Sequence, residues 1–148
     1  MLTCHVNMEQ RTMAKTELFL DTSGLLSLFD EGSASHREAA EFFTRAQSLM
    51  TTNYVLAEFV PLTHVRGLSR SKSLNFLRDL VLLPRLELVW VDERLHQEAM
   101  TLLDHRSDKT YSLCDAVSFV LMRERGILEA LTTDKHFVQE GFIRLLDP

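Results

Sequence analysis

The 148-residue chain has little cysteine and no surplus of positive charge. Its two cysteines, Cys4 and Cys114, are too few for a disulfide framework, and neither belongs to a CxxC pair or a Cys/His cluster with zinc spacing. A reducing, cytoplasmic setting is therefore expected. No run approaches the roughly 18 apolar residues of a spanning helix, because Asp21, Glu58 and Asp115 interrupt the strongest stretches. The first residues lack the apolar core of a signal peptide, so no export and no membrane association are expected. With 16 Lys+Arg against 21 Asp+Glu the net charge is −5, which disfavours nonspecific coating of nucleic acid or anionic lipid. Repeats, linkers and low-complexity segments are also missing. What is there, 45% hydrophobic and 25% charged residues, is the balance of one ordinary globular domain.

Residues 1–16 show no hydrophobic period and contain Met8 and Met13 as alternative starts, so they read as a loose extension before a domain over 17–148. Leu18-Phe19-Leu20 reads as a buried strand, followed by a helix capped at Asp21 or Thr22 and carrying Leu25, Leu26, Leu28 and Phe29. An amphipathic helix is expected over Ser35 to Met50, with a short strand at Met50 to Thr52. Asn53 should cap an apolar helix containing Glu58 and kinked at Pro61. Ser69 or Ser71 opens a further helix. Leu86 to Val91 should form a strand before a helix at Asp92. Ser112 caps a helix that ends near Gly126. A strand near Ala130 to Thr132, a brief helix after Asp134 and a strand over Phe142 to Leu146 close the chain. Short apolar strands alternating with helices predict an α/β fold, with a parallel sheet covered on both faces and its ligand edge beyond the strands' carboxyl ends.

Four acids interrupt apolar sequence: Asp21 in LFLDTSGLL, Glu58 in VLAEFV, Asp115 in SLCDAVSFVLM and Asp134 in LTTDKHF. Helix capping alone would account for Asp21 or Asp134, and Asp115 has capping-box spacing from Ser112. Glu58 lies inside a helix, where capping offers nothing, and must either face solvent or find a cation. Carboxylates converging on one edge repel unless a divalent cation joins them, and an all-oxygen site suits Mg²⁺ or Mn²⁺. Such an ion supports phosphodiester hydrolysis.

The order and setting of these acids resemble the PIN domain, in particular the VapC-like toxins of bacterial toxin–antitoxin pairs. The segments that carry the resemblance are FLDTSGLLSLFD, NYVLAEFVPL, YSLCDAVSFVLMRERG and ALTTDKHF with the terminal FIRLLDP. It implies a three-layer α/β/α sandwich and a Mg²⁺- or Mn²⁺-dependent endoribonuclease, with Asp21, Glu58, Asp115 and Asp134 as the acidic metal site. Ser23 and Thr133 would position water or phosphate. The implied partners are an RNA substrate, with transfer RNA a plausible one, a cognate antitoxin and a second copy of the chain.

Other readings fit less well. DTSG is also the triplet of aspartic proteases, but those folds are nearly all β. A haloacid-dehalogenase-like phosphatase would want an acid where Ser23 stands, and no Gly-x-Ser-x-Gly elbow is present for a serine hydrolase. The six histidines show no paired metal spacing. Arg66, Arg70, Lys72, Lys109, Lys135 and His136 are candidate phosphate contacts. The alternative from a different class is a noncatalytic PIN-fold module that binds RNA or protein. A partner surface on Phe29, Phe42, Phe43 and Phe59 competes with simple core packing of the same rings.

Overall fold

A computed structural model describes residues 16–148. The extension expected over 1–16 therefore falls, except for Thr16, outside the described residues. Five short strands, β1 (Glu17–Leu20), β2 (Ser48–Thr52), β3 (Leu86–Val89), β4 (Glu129–Leu131) and β5 (Ile143–Arg144), form one sheet in the order β3-β2-β1-β4-β5. Every pairing is parallel. The helices are α1 (Thr22–Phe29), α2 (His36–Arg45), α3 (Asn53–Val65), α4 (Arg70–Val81), α5 (Glu93–His105), α6 (Leu113–Arg125) and α7 (Lys135–Gln139).

The chain winds outward from β1 through β2 to β3, then returns across the sheet to β4 on the other side of β1. Right-handed crossovers consequently place α1 to α4 over one face and α5 to α7 over the other, a three-layer α/β/α sandwich. The helix contacts agree, since α1 packs on α2 and α3 while α5 packs on α6. Reversal of direction between β1 and β4 opens a crevice at their carboxyl ends, the place where such sheets bind ligands.

The apolar runs are buried as their sequence demands. Leu18, Phe19 and Leu20 are inaccessible or nearly so, and α6 buries Cys114 through Phe119 together with Leu121 and Met122. Gly126 ends α6 with φ at 67°, the left-handed geometry that favours glycine. The aromatic residues weighed as a partner surface belong instead to the packing. Phe59 is fully buried, and Phe29 meets it edge-on at 5.8 Å and Phe76 at 5.3 Å. Phe42 and Phe43 pack on the core, and the Arg85 guanidinium covers the Phe43 ring at 4.7 Å.

Several boundaries differ from the sequence expectation. The helix predicted to reach Met50 stops at Arg45, and β2 takes Ser48 to Thr52. Helical spacing of Ala39, Phe42, Phe43 and Ala46 hides this switch, because Leu49 and Met50 also fit a helix face. Thr52, not Asn53, caps α3, its hydroxyl accepting from the Val55 amide. Asn53 instead ties two loops together by accepting from Val91 N at 2.7 Å. Strand β3 ends at Val89 rather than Val91, and β5 covers only Ile143–Arg144.

Candidate metal centre

The site is built where β1 and β4 end. Asp21 occupies the N-cap position of α1, yet its side chain makes no capping bond. Its Oδ2 turns across the crevice to accept from Thr132 Oγ1 at 2.7 Å and from Ser23 Oγ at 3.3 Å. Capping thus does not explain Asp21. Only 5% of the residue is exposed, and burial pushes its carboxyl up to about 7. The Thr132 bond opposes that rise, whereas the charges of Asp115 and Asp134 add to it.

Asp115 serves two ends at once. It completes the capping box of α6, its Oδ2 accepting from Ser112 N while its amide donates to Ser112 Oγ, both at 3.0 Å. The same Oδ2 lies 3.1 Å from His136 Nδ1. Burial raises the Asp115 carboxyl; the Ser112 amide and His136 work against the rise, and Asp134 works with it. Asp134 caps α7 by accepting from His136 N at 2.9 Å, and its Oδ1 is 3.4 Å from His136 Nδ1. Asp115, Asp134 and His136 each offer a ligand atom within 4.8 Å of the others, a group that could hold a metal ion. Asp21 couples to both acids by charge but stands outside that tight trio.

Glu58 is exposed on α3 and accepts from Thr22 Oγ1 at 3.4 Å, which sets it on the rim. Cys114 lies close enough to Glu58, Asp21 and Asp115 for their charges to reinforce the rise that burial imposes on its thiol. A thiol held protonated in this way offers no nucleophile.

Two side chains depart from the sequence expectation. Fully buried Thr132, which the sequence did not single out, supplies the hydroxyl that meets Asp21, because successive residues leaving β4 point to opposite sides. Thr133 contributes its amide, which donates to Ser23 Oγ at 3.0 Å. Ser23 also meets Thr132 Oγ1 at 3.0 Å, so Ser23 braces the β1 and β4 loops. His136, read from sequence only as a peripheral phosphate contact, sits among the acids, with Nε2 3.2 Å from Thr110 Oγ1 and its ring edge-on to Tyr111 at 5.2 Å. Its signal was its place two residues after Asp134, in the first turn of the helix that Asp134 caps. Of the basic candidates, Lys135 and His136 flank the acids. Arg66 is eight residues beyond Glu58 on the α3 path, about 12 Å at 1.5 Å per residue, with Arg70 and Lys72 further along the chain.

Tyr111 is anchored in turn. Its hydroxyl donates at 2.9 Å to Glu140, which also accepts from Arg106 at 3.0 Å and from Arg123 at 2.8 Å. Burial pushes the Glu140 carboxyl up, but these three donors more than offset it and the net shift is downward. The Tyr111 phenol, buried and bound to Glu140, rises to about 12 and stays a donor.

These shifts set a pH dependence. Asp21 binds its proton more tightly in the folded than in the unfolded chain, so metal-free stability falls as pH rises from about 4 through 7 and stays lower above. At about 1.4 kcal/mol per pH unit, a carboxyl at about 7 rather than 3.8 costs the ionised fold on the order of 4 kcal/mol. Glu140 acts oppositely and lower, its contribution being lost as pH falls below the usual carboxylate range. In EDTA, the melting temperature is expected to drop by roughly 10 °C between pH 5 and pH 8. A flat profile over that range would show that Asp21 is not held protonated.

Fold and site together define a class: a parallel α/β domain with a carboxylate-lined crevice at its topological switch point, able to hold a cation. The chain belongs to the PIN domain family, which it matches over residues 18–142. It is 32% identical over 129 residues to the 23S rRNA-specific endonuclease VapC20 of Mycobacterium tuberculosis, from strain CDC 1551 / Oshkosh and from strain H37Rv alike. That alignment covers 86% of this chain and 97% of the relative. The crystal structure of Mycobacterium tuberculosis VapC20, a Sarcin-Ricin loop cleaving toxin, superposes with a TM-score of 0.78 at 30% identity, covering 88% of this chain and 99% of that one. VapBC2 from Rickettsia felis, solved bound to a promoter DNA fragment, shares the fold with a TM-score of 0.60 at 15% identity, over 89% of this chain and 98% of that one. Among the described residues no helix is long and apolar enough to cross a membrane.

Proposed function

We propose that the chain is a metal-dependent endoribonuclease that hydrolyses RNA phosphodiester bonds, and that it is the toxin of a toxin–antitoxin pair. The observation that carries this reading is Asp21, a buried carboxylate that leaves its own helix end uncapped to face the crevice shared with Asp115 and Asp134. Such a group either keeps its proton or meets a cation, and a cation bound among the three acids would hold Asp21 ionised at neutral pH. The donor set fits: hard carboxylate oxygens suit Mg²⁺ or Mn²⁺, and the His136 nitrogen beside them favours Mn²⁺ of the two.

In this reading Asp21 and Asp115 hold the ion directly, with Asp134 and His136 completing its surroundings and Glu58 supporting it from the rim. The bound ion supplies Lewis-acid stabilisation of the charge that develops on the cleaved phosphodiester. Thr132 and Ser23 orient the Asp21 carboxylate by donating to it, and Ser112 N and His136 fix that of Asp115. Ser23 and Thr133 line the approach to these acids and are the candidates for positioning phosphate or water. The capping bonds of Asp115 and Asp134 lock their rotamers, so the acids are preorganised rather than gathered by the ion.

The relatives' activity favours ribosomal RNA over transfer RNA as substrate, in a loop whose unstacked bases can be reached. A cognate antitoxin and self-association in the cytoplasm belong to the same reading. The test is cleavage of mixed ribosomal and transfer RNA in Mn²⁺, Mg²⁺ and EDTA, with Asp115→Asn as control. Cutting in metal, lost in EDTA and in the folded variant, is the expected result. A folded, partner-free protein that cuts in no metal would favour the noncatalytic binding module.

A further inference from the structure

Trp90, the one tryptophan of the chain, is 72% exposed although it directly follows a strand of the central sheet. Because every strand is parallel, the end of β3 lies on the same edge as the acids. Two strand spacings separate β3 from β1, about 10 Å. The loop is held rather than loose: Val91 N donates to Asn53 Oδ1 at 2.7 Å, and Asp92 caps α5 by accepting from Leu95 N at 2.8 Å. Next in sequence to the two anchors Asn53 and Leu95, Tyr54 and His96 meet, the Tyr54 hydroxyl 2.7 Å from His96 Nδ1 and the two rings edge-on at 6.1 Å. Tyr54 is one helical turn before Glu58 on α3, so this aromatic group adjoins the rim of the acid crevice.

Resting on the endoribonuclease reading, we propose that Trp90 is a stacking platform for an unpaired base of the RNA adjacent to the scissile phosphate. A strand that runs along this edge from the crevice toward β3 reaches Trp90. Residues next to Trp90 are the exposed acids Asp92 and Glu93, and Arg94 is engaged by Glu98 at 2.9 Å and Glu124 at 2.7 Å. The patch therefore suits the uncharged face of a base and not the phosphate backbone. Aromatic stacking also accepts any base, so the platform would set the register of cleavage without reading sequence by hydrogen bonds. Trp90 acts in this scheme as a positioning residue.

The experiment uses Trp90 fluorescence, with EDTA present to prevent cleavage and a single-stranded RNA oligonucleotide as probe. The expected result is saturable quenching by RNA at fixed protein concentration. In Mn²⁺, Trp90→Ala should raise KM on the order of tenfold with kcat within about twofold, and Trp90→Phe should restore most of the loss. No quenching by RNA together with an unchanged KM overturns the proposal. An emission change that follows protein concentration and ignores RNA does so too, and assigns Trp90 to contact with a second copy. Quenching by RNA with no cleavage by the unaltered protein would keep the platform and remove the nuclease reading; cleavage with neither quenching nor a KM effect would do the reverse.

Discussion

Asp21→Asn is expected to lower metal-dependent RNA cleavage at least a thousandfold while raising the melting temperature of the metal-free protein at pH 8. A thousandfold loss corresponds to about 4 kcal/mol of transition-state stabilisation, consistent with a ligand that carries charge to the ion at the reacting phosphate. The stability change runs the other way because asparagine keeps an oxygen for Thr132 and Ser23 but brings no buried charge. Removing the cost worked out for Asp21 should raise the EDTA melting temperature by several degrees and flatten its fall between pH 5 and pH 8. Cleavage in Mn²⁺ and thermal melting in EDTA read the two effects separately. A variant that still cuts, or one that melts earlier in EDTA, would show that Asp21 is a structural acid and not a metal ligand.

Gly24→Ala should be the most damaging small substitution near the site. A helical glycine replaced by alanine ordinarily gains stability, since the unfolded chain loses freedom. At Gly24 an added Cβ would stand 1.9 Å from Leu131 O and 2.6 Å from Leu131 C, backbone atoms of the central sheet that cannot move aside. Leu131 O also accepts from Asp21 N at 3.2 Å, so separating α1 from β4 pulls Asp21 away from Thr132. We expect about 3 kcal/mol of destabilisation, roughly 10 °C in melting temperature, together with loss of cleavage in the folded fraction. Gly67→Ala is the contrast: φ there is 70° but nothing lies within 4 Å, so backbone strain alone should cost about 1 kcal/mol and leave activity intact. Equal effects at the two positions would refute the close-packing account.

The parallel α/β architecture was legible because each strand is a short apolar run and each helix shows its period. Asp115 and Asp134 were legible as acids that break apolar sequence, but capping and site membership were weighed as alternatives. Asp115 caps and also reaches His136, since one oxygen can accept from a helix-end amide and still lie beside a second side chain. Asp21 was legible as a cap that the structure shows uncapped. Glu58, flanked by Ala57 and Phe59, gave no sign of its orientation, which depends on α1 presenting Thr22 to it. Thr132 escaped the sequence reading because its partner Asp21 follows a strand adjacent in the sheet but distant along the chain, and His136 was read only as a phosphate contact because its partner Asp115 lies on another helix. Which of the two adjacent threonines meets Asp21 is decided by side-chain alternation at a strand end, where a shift of one residue reverses the face. The end of α2 was obscured because Leu49 and Met50 satisfy a helix period as well as a strand.

The bond between Asp21 and Thr132 spans 111 residues, with every described element in between except β1, α7 and β5. The first acid of the crevice follows the first strand, yet its partner Thr132 follows β4, which the chain reaches only after crossing both faces of the sheet. Contacts this distant in sequence also form late in folding, after the costly closure of long loops. A folding intermediate that pairs β1 with β2 alone thus carries Asp21 without Thr132, and the crevice is complete only once β4 has docked on the other side of β1.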